Sequence, residues 1–204
     1  IVGTSIVDNG GAGIEVYGSI RVEDSEIARN HSSGIAMPIH GDSITVRRTL
    51  IEENSGYGIA AWDGSLLTVD ESIVRANSSD GISVAEMRAV ITRTTIESNL
   101  GIGVAADYWP YASIALDSSS VIGNSAGVVF DGARLDIVNS TISGNSGGVV
   151  GGIELGGFVD PGSVRLRSST VFGNSGTSVG GIGAIEPPPL GPGRGTGVGS
   201  EISG

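Results

Sequence analysis

The chain has 204 residues, a net charge of −11, 11 basic residues that are all arginine, and no cysteine. These values exclude disulfides, thiolate metal sites and cysteine nucleophiles, and an acidic chain without a basic stripe is a poor nucleic-acid binder. With 35 Gly and 4% aromatics the composition resembles that of disordered chains, but 39% hydrophobic residues are enough to bury a core, and no apolar run is long enough to span a membrane.

The elements repeat from the first residue onward. Asn9, Asn30, Asn54, Asn77, Asn99, Asn124, Asn145 and Asn174 recur at intervals of 21 to 29 residues. Three residues before each stands Ile or Val, from Ile6 to Val171. Five before stands Ser or Thr, from Thr4 to Ser169, and eight before an aliphatic, from Ile1 to Leu166. After each Asn comes Gly followed by Ile or Val, as in Gly13-Ile14, Gly58-Ile59 and Gly152-Ile153. Period-2 alternation over such short runs, bounded by Gly, Asn and Ser, predicts three short strands and three turns per unit. A leucine-rich horseshoe has an overlapping period. It needs Leu where this chain has Ile and Val, and it often carries helices, whereas nothing here has helical periodicity.

The pattern S/T-x-[IV]-x-x-N followed by G-[IV]-x-[VAL] resembles the right-handed parallel β-helix repeat of the pectate-lyase-like superfamily, over residues 1 to about 184. The resemblance implies an all-β solenoid of about eight coils. It leaves function open, because that solenoid serves lyases, hydrolases, epimerases, adhesins and inert spacers. In such a stack the Asn column forms an amide ladder, with Asn tolerating the left-handed turn backbone, and the Ser/Thr column supplies inward hydroxyls satisfied within a turn.

Charge is patterned on the same period. The pairs Glu23-Asp24, Arg47-Arg48, Asp70-Glu71 and Thr92-Arg93 alternate in sign from coil to coil, and so do Asp8, Arg29, Glu52-Glu53, Arg75 and Glu97. Stacked coils bring these groups together, so a slipped coil would oppose like charges. That assigns Arg29, Arg47, Arg48, Arg75, Arg93 and Arg167 to structure, and leaves Arg21, Arg88, Arg134, Arg165 and Arg194.

Length varies at one corner, between the Gly-Ile strand and the next. Tyr17, His40, Asp42, Trp62, Asp63, Glu86, Arg88, Asp107, Tyr108, Trp109, Tyr111, Asp131 and Arg134 all fall there. Aromatic faces beside carboxylates and arginines suit stacking on sugar rings, and loops on a rigid scaffold are where binding residues concentrate. These are the candidate ligand-binding residues. No catalytic residue is assigned. Paired carboxylates such as Asp63 with Glu86 are brought close by stacking alone, and the Gly-His-Gly, Asp-Pro-His-Glu and Arg-Pro-x-x-Arg signatures of the superfamily's enzymes are missing. No cofactor is expected. Calcium is the one cation that the hard oxygen ligands of Asp107 or Asp131 would suit.

The sequence reading is therefore a non-catalytic β-helical segment of an extracellular or cell-envelope protein, whose corner contacts polysaccharide or a cell-surface protein. A divergent polysaccharide lyase, glycosidase or epimerase is the alternative, and a spacer without ligand the third. Residues 1–185 are read as the β-helix and 186–199 as a Pro/Gly-rich loop or linker. Residues 200–204, Ser200-Glu201-Ile202-Ser203-Gly204, echo Ser140-Thr141-Ile142-Ser143-Gly144 and are read as the start of a further coil of a longer solenoid.

Overall fold

The computed structural model describes residues 1–39, 41–106, 112–156 and 163–185. The expected linker and further coil, 186–204, lie outside them. Among the described residues three parallel sheets, of eight, eight and seven strands, wrap one core in stacked coils, which is the predicted all-β solenoid. In sheet 1 the strands run from Ser5–Val7 to Thr170–Phe172, each carrying the aliphatic three residues before a ladder Asn. Sheet 2 holds the Gly-Ile strands, from Ile14–Glu15 to Ile182–Ala184, and sheet 3 the strands after the variable corner, from Ile20–Glu23 to Ser163–Arg167.

Strands of two to five residues persist because each pairs with the coil above and the coil below. In-register pairing stacks like on like: Ile27 on Ile51, Ile59 on Ile82, Ile91 on Leu116. These inward columns are fully buried. Burying one such side chain contributes about 1.5–3 kcal/mol. β-Branched residues dominate because a column only one strand spacing deep holds compact side chains best.

The Asn column is a continuous ladder. Each Nδ2 donates to Oδ1 of the next Asn at 2.8–3.1 Å, from Asn9–Asn30 to Asn145–Asn174. The same Oδ1 accepts the backbone N–H of the preceding Asn, and Nδ2 also donates to a carbonyl one coil back, as Asn77 does to Ile51. Amides buried to this degree therefore leave no polar atom unmet. The left-handed backbone expected at these Asn sits one residue earlier instead. Asp8, Arg29, Glu53, Ala76, Ser98, Gly123, Gly144 and Gly173 carry positive φ, while no ladder Asn does. The reason is that the Asn is already an inward residue of the turn, and the chain must reverse just before it.

The glycine after the turn has a steric cause. A Cβ on Gly58 would stand 2.5 Å from Val74 Cγ1, 2.6 Å from the Gly81 carbonyl and 3.0 Å from Asn77 Nδ2. Only a bare backbone fits between the ladder and the core column of the next coil. The hydroxyl column behaves as expected. Ser72 Oγ donates to the Asp70 carbonyl at 2.7 Å and accepts the N–H of Thr49 at 3.2 Å.

The charge alternation is real contact. Arg48 holds Asp24 through two bonds of 2.6 and 2.8 Å, and Arg93 holds Asp70 at 2.5 Å. Arg47 reaches both Asp70 and Glu71 at 3.3 Å. On sheet 1, Arg29 meets Asp8 at 3.1 Å and Arg75 meets Glu52 at 2.7 Å. The Arg48 guanidinium holds the Asp24 carboxyl below the usual carboxylate range, first through the hydrogen bond and then through charge. The assignment of Arg167 to this ladder is corrected: it meets no carboxylate among the described residues, because the residue beneath it in register is Val138.

Candidate functional site

The variable corner joins sheet 2 to sheet 3, and its candidate residues divide between the two faces that meet there. Tyr17, Trp62 and Asp131 stand at or just after the ends of sheet 2 strands. Arg88 and Arg134, expected in loops, are instead the first residues of the sheet 3 strands Arg88–Thr92 and Arg134–Val138. Ladder pairing extends into the corner: Arg88 pairs with Leu66 and Ser113, and Ser113 with Arg134. His40, Asp107, Tyr108, Trp109 and Tyr111 lie outside the described residues, and with them one of the two expected calcium ligands.

Several of the remaining candidates organise the corner itself. The Asp42 N–H donates to the Gly18 carbonyl at 3.2 Å, and its own carbonyl accepts Ser65 N–H at 2.8 Å. Asp63 and Glu86 occupy left-handed turn positions with φ of 55° and 56°. The Tyr17 hydroxyl donates to the Glu15 carboxylate, which holds its pKa above the ordinary phenol value, and the ring is 65% exposed. Trp62 meets Tyr57 edge-on, with ring centroids 6.2 Å apart. Asp131 is buried, and its Oδ1 has no hydrogen-bond partner among the described residues. Among those residues no three His, Cys, Asp or Glu groups gather into a metal site.

The outer face of sheet 3 gives the clearest electrostatic signal. Across sheets 1 and 3 and their turns, seven arginines, Arg21, Arg29, Arg47, Arg48, Arg75, Arg93 and Arg134, each hold a carboxylate. Of these, Arg21 and Arg134 bond Glu23 and Asp136, two residues along the same strand face, at 2.7 and 2.6 Å. Arg88, Arg165 and Arg167 are exposed and hold none among the described residues. Alternation sends all three outward, and their strand neighbours Ala89, Val164 and Leu166 point to the core side. Arg88 and Arg134 stand in one column two coils apart, roughly 10 Å. Sequence reasoning set Arg165 aside and assigned Arg167 to the ladder. The Arg-x-Arg spacing, which places both on one strand face, was the available signal.

Residues 1–145 match the model of the right handed beta helix region. The chain belongs to that family. No curated protein matches the sequence. Among solved structures, this β-helix is similar to the A-module of mannuronan C-5 epimerase AlgE6 from Azotobacter vinelandii, with a TM-score of 0.63 and 14% identity over 92% of this chain and 58% of that one. It is also similar to the periplasmic alginate epimerase AlgG T265N mutant, with a TM-score of 0.57 and 12% identity over 89% of this chain and 51% of that one. The chain thus spans just over half the length of these structures. At such identity the likeness shows the fold alone.

Proposed function

We propose that this β-helix binds an acidic polysaccharide along the outer face of sheet 3 and the adjoining corner, without cleaving it, in a protein of the cell envelope or exterior. The observation that carries the reading is the contrast among the arginines. In a chain of net charge −11, three guanidiniums on one face hold no carboxylate among the described residues, beside a fourth, Arg134, that does. A guanidinium is the side chain best shaped to take a carboxylate in two hydrogen bonds. Arg88 and Arg134 share one row two coils apart, and Arg165 and Arg167 lie on the strand of the next coil, so the groups are spread along the face as an extended polymer requires. Tyr17, exposed at the corner, adds an apolar ring for the sugar's C–H face. Two similar structures being a mannuronan and an alginate epimerase supports the choice of ligand class, and one of them being periplasmic supports the location.

Titration with alginate, polygalacturonate and a neutral dextran tests this. The expected outcome is binding of the two polyuronates alone, weakening with added salt, lost in the Arg165→Ala/Arg167→Ala double variant, and with no unsaturated product. Equal affinity for dextran would overturn the electrostatic reading. Polymer cleavage would favour the enzymatic alternative, for which buried Asp131, with one oxygen unpartnered among the described residues, is the first group to test.

A further inference from the structure

We infer that the outer face of sheet 2 carries a second saccharide site, for a neutral pyranose unit, built from Trp62, Tyr57, Asp80 and Ser83. This site shares no arginine with the face proposed above and does not depend on it.

The first observation is the shape of the sheet. Ala60, Ser83 and Ala105 pair in register on the outer side, one small side chain per coil. Ala36 continues the column by one coil, and Glu15 at one end and Val129 and Glu154 at the other are larger, so the face dips over coils two to five, a length of roughly 14 Å. The second is the pair of rings. Tyr57 lies three residues before Ala60 and Trp62 two after it, and their rings meet edge-on across it. Ala60 is left 3% exposed, while Trp62 remains 38% exposed. This arrangement is a shelf of aromatic surface, open on its outer side.

The third observation points to a ligand. Ser83 is only 6% exposed, yet its hydroxyl has no hydrogen-bond partner among the described residues. The oxygen itself still reaches solvent, so it can bond water or a ligand's hydroxyl. Beside it in the same coil, Asp80 accepts the Ile102 N–H through Oδ1 at 2.8 Å. Its other carboxylate oxygen makes no hydrogen bond among the described residues. Burial pushes the Asp80 carboxyl above its ordinary pKa, against the opposing pull of that backbone bond.

Together these groups match one chemistry. The C–H face of a pyranose lies on Trp62, one ring hydroxyl donates to the free oxygen of Asp80, and another exchanges a bond with Ser83. The carboxylate sets the class of sugar. A uronate would place its own negative charge against Asp80 with no arginine of this face to offset it, so the site takes neutral units and rejects acidic ones.

The test uses the full chain with Trp109→Phe, which leaves Trp62 as the single indole reporter. Cellohexaose, mannohexaose and xylohexaose are titrated by fluorescence and calorimetry. At least one is expected to bind and shift Trp62 emission. Trp62→Ala should weaken that affinity by about tenfold, read by calorimetry, and Asp80→Asn by several-fold, with the melting transition of the latter not lowered, because the Ile102 bond survives and a partly buried charge is removed. Ser83→Ala, which removes only the hydroxyl, should weaken it as well. If none of the three sugars binds, or if Trp62→Ala leaves the affinity within about twofold, the proposal is wrong. Arg165→Ala/Arg167→Ala should leave neutral binding intact while removing polyuronate binding, so failure of either site is read separately.

Discussion

Each strand of sheet 3 is bounded by two corners of different construction. At its far end the chain makes the same tight turn in every coil. Gly3, Asp24, Arg48, Glu71, Arg93, Ser118, Asn139 and Ser168 hold φ between 46° and 59° at one equivalent position. At its near end the chain enters from the variable corner, where among the described residues only Asp63 and Glu86 adopt that backbone without glycine. The tight turn is stacked on its copies and bonded to them, so any change in one coil is felt in two others. The variable corner is bonded more loosely and by individual means, such as the Asp42 carbonyl taking the N–H groups of Ser65 and Leu66. Uniformity therefore marks the side that holds the stack together, and variety marks the side free to acquire a ligand.

The largest expected effect lies in the Asn ladder, at the next uniform corner, between sheets 1 and 2. Asn77→Ala would strip the acceptor from Asn54 Nδ2 and N–H, and the donor from Asn99 Oδ1 and the Ile51 carbonyl. Leaving such buried groups unmet should cost about 3–6 kcal/mol, measured by chemical denaturation. A loss under about 1 kcal/mol would mean that water replaces the amide and that the uniform side is not rigid.

A glycine pair separates the corners more finely. Gly58→Ala, at the equally uniform corner between sheets 1 and 2, forces a methyl against Val74, Asn77 and the Gly81 carbonyl, and should cost about 2–3 kcal/mol. Gly18→Ala, at the variable corner, meets nothing within 4 Å and has no positive φ, so its melting transition should stay within a degree or so of the parent. Equal losses at the two sites would erase the distinction.

The smallest effect concerns charge. Arg47→Glu/Arg48→Glu would set acids against Asp24 on one side and Asp70 and Glu71 on the other. The melting temperature should fall by a few degrees and recover in high salt, since these groups are exposed and screened. A salt-independent fall would show that packing, not charge, was lost. Acid gives the same ladder a second reading. Asp24 and Glu23 have carboxyls held below their unfolded values by Arg48 and Arg21. Their contribution is present above the unfolded pKa and is lost as pH falls through the folded one, so stability should drop below about pH 4. Asp80, raised by burial, works in the opposite sense and regains stability as it protonates.

The sequence by itself determined what repeats: the three-sheet solenoid, the Asn and hydroxyl columns, the alternation of Arg48 with Asp24 and of Arg93 with Asp70. Stacking forces equivalent residues into contact, so a regularity along the chain is already a statement about space. It misplaced the left-handed residue by one position, because offset counting does not reveal which residue of a turn reverses the chain. The tertiary structure alone decided which functional groups are occupied. Arg134 and Arg165 both looked free in the sequence, and only the fold shows that Asp136, which lies in register beside Arg165, pairs with Arg134 and forms no ion pair with Arg165. Tyr57, Asp80 and Ser83 carry no motif at all. They share a face because Ser83 pairs with Ala60 and Ala105 across coils more than twenty residues apart in sequence, and the rings of Tyr57 and Trp62 meet across that column. Partnership across coils depends on rotamers and on what the neighbouring turn presents, and neither has a period that a sequence can show.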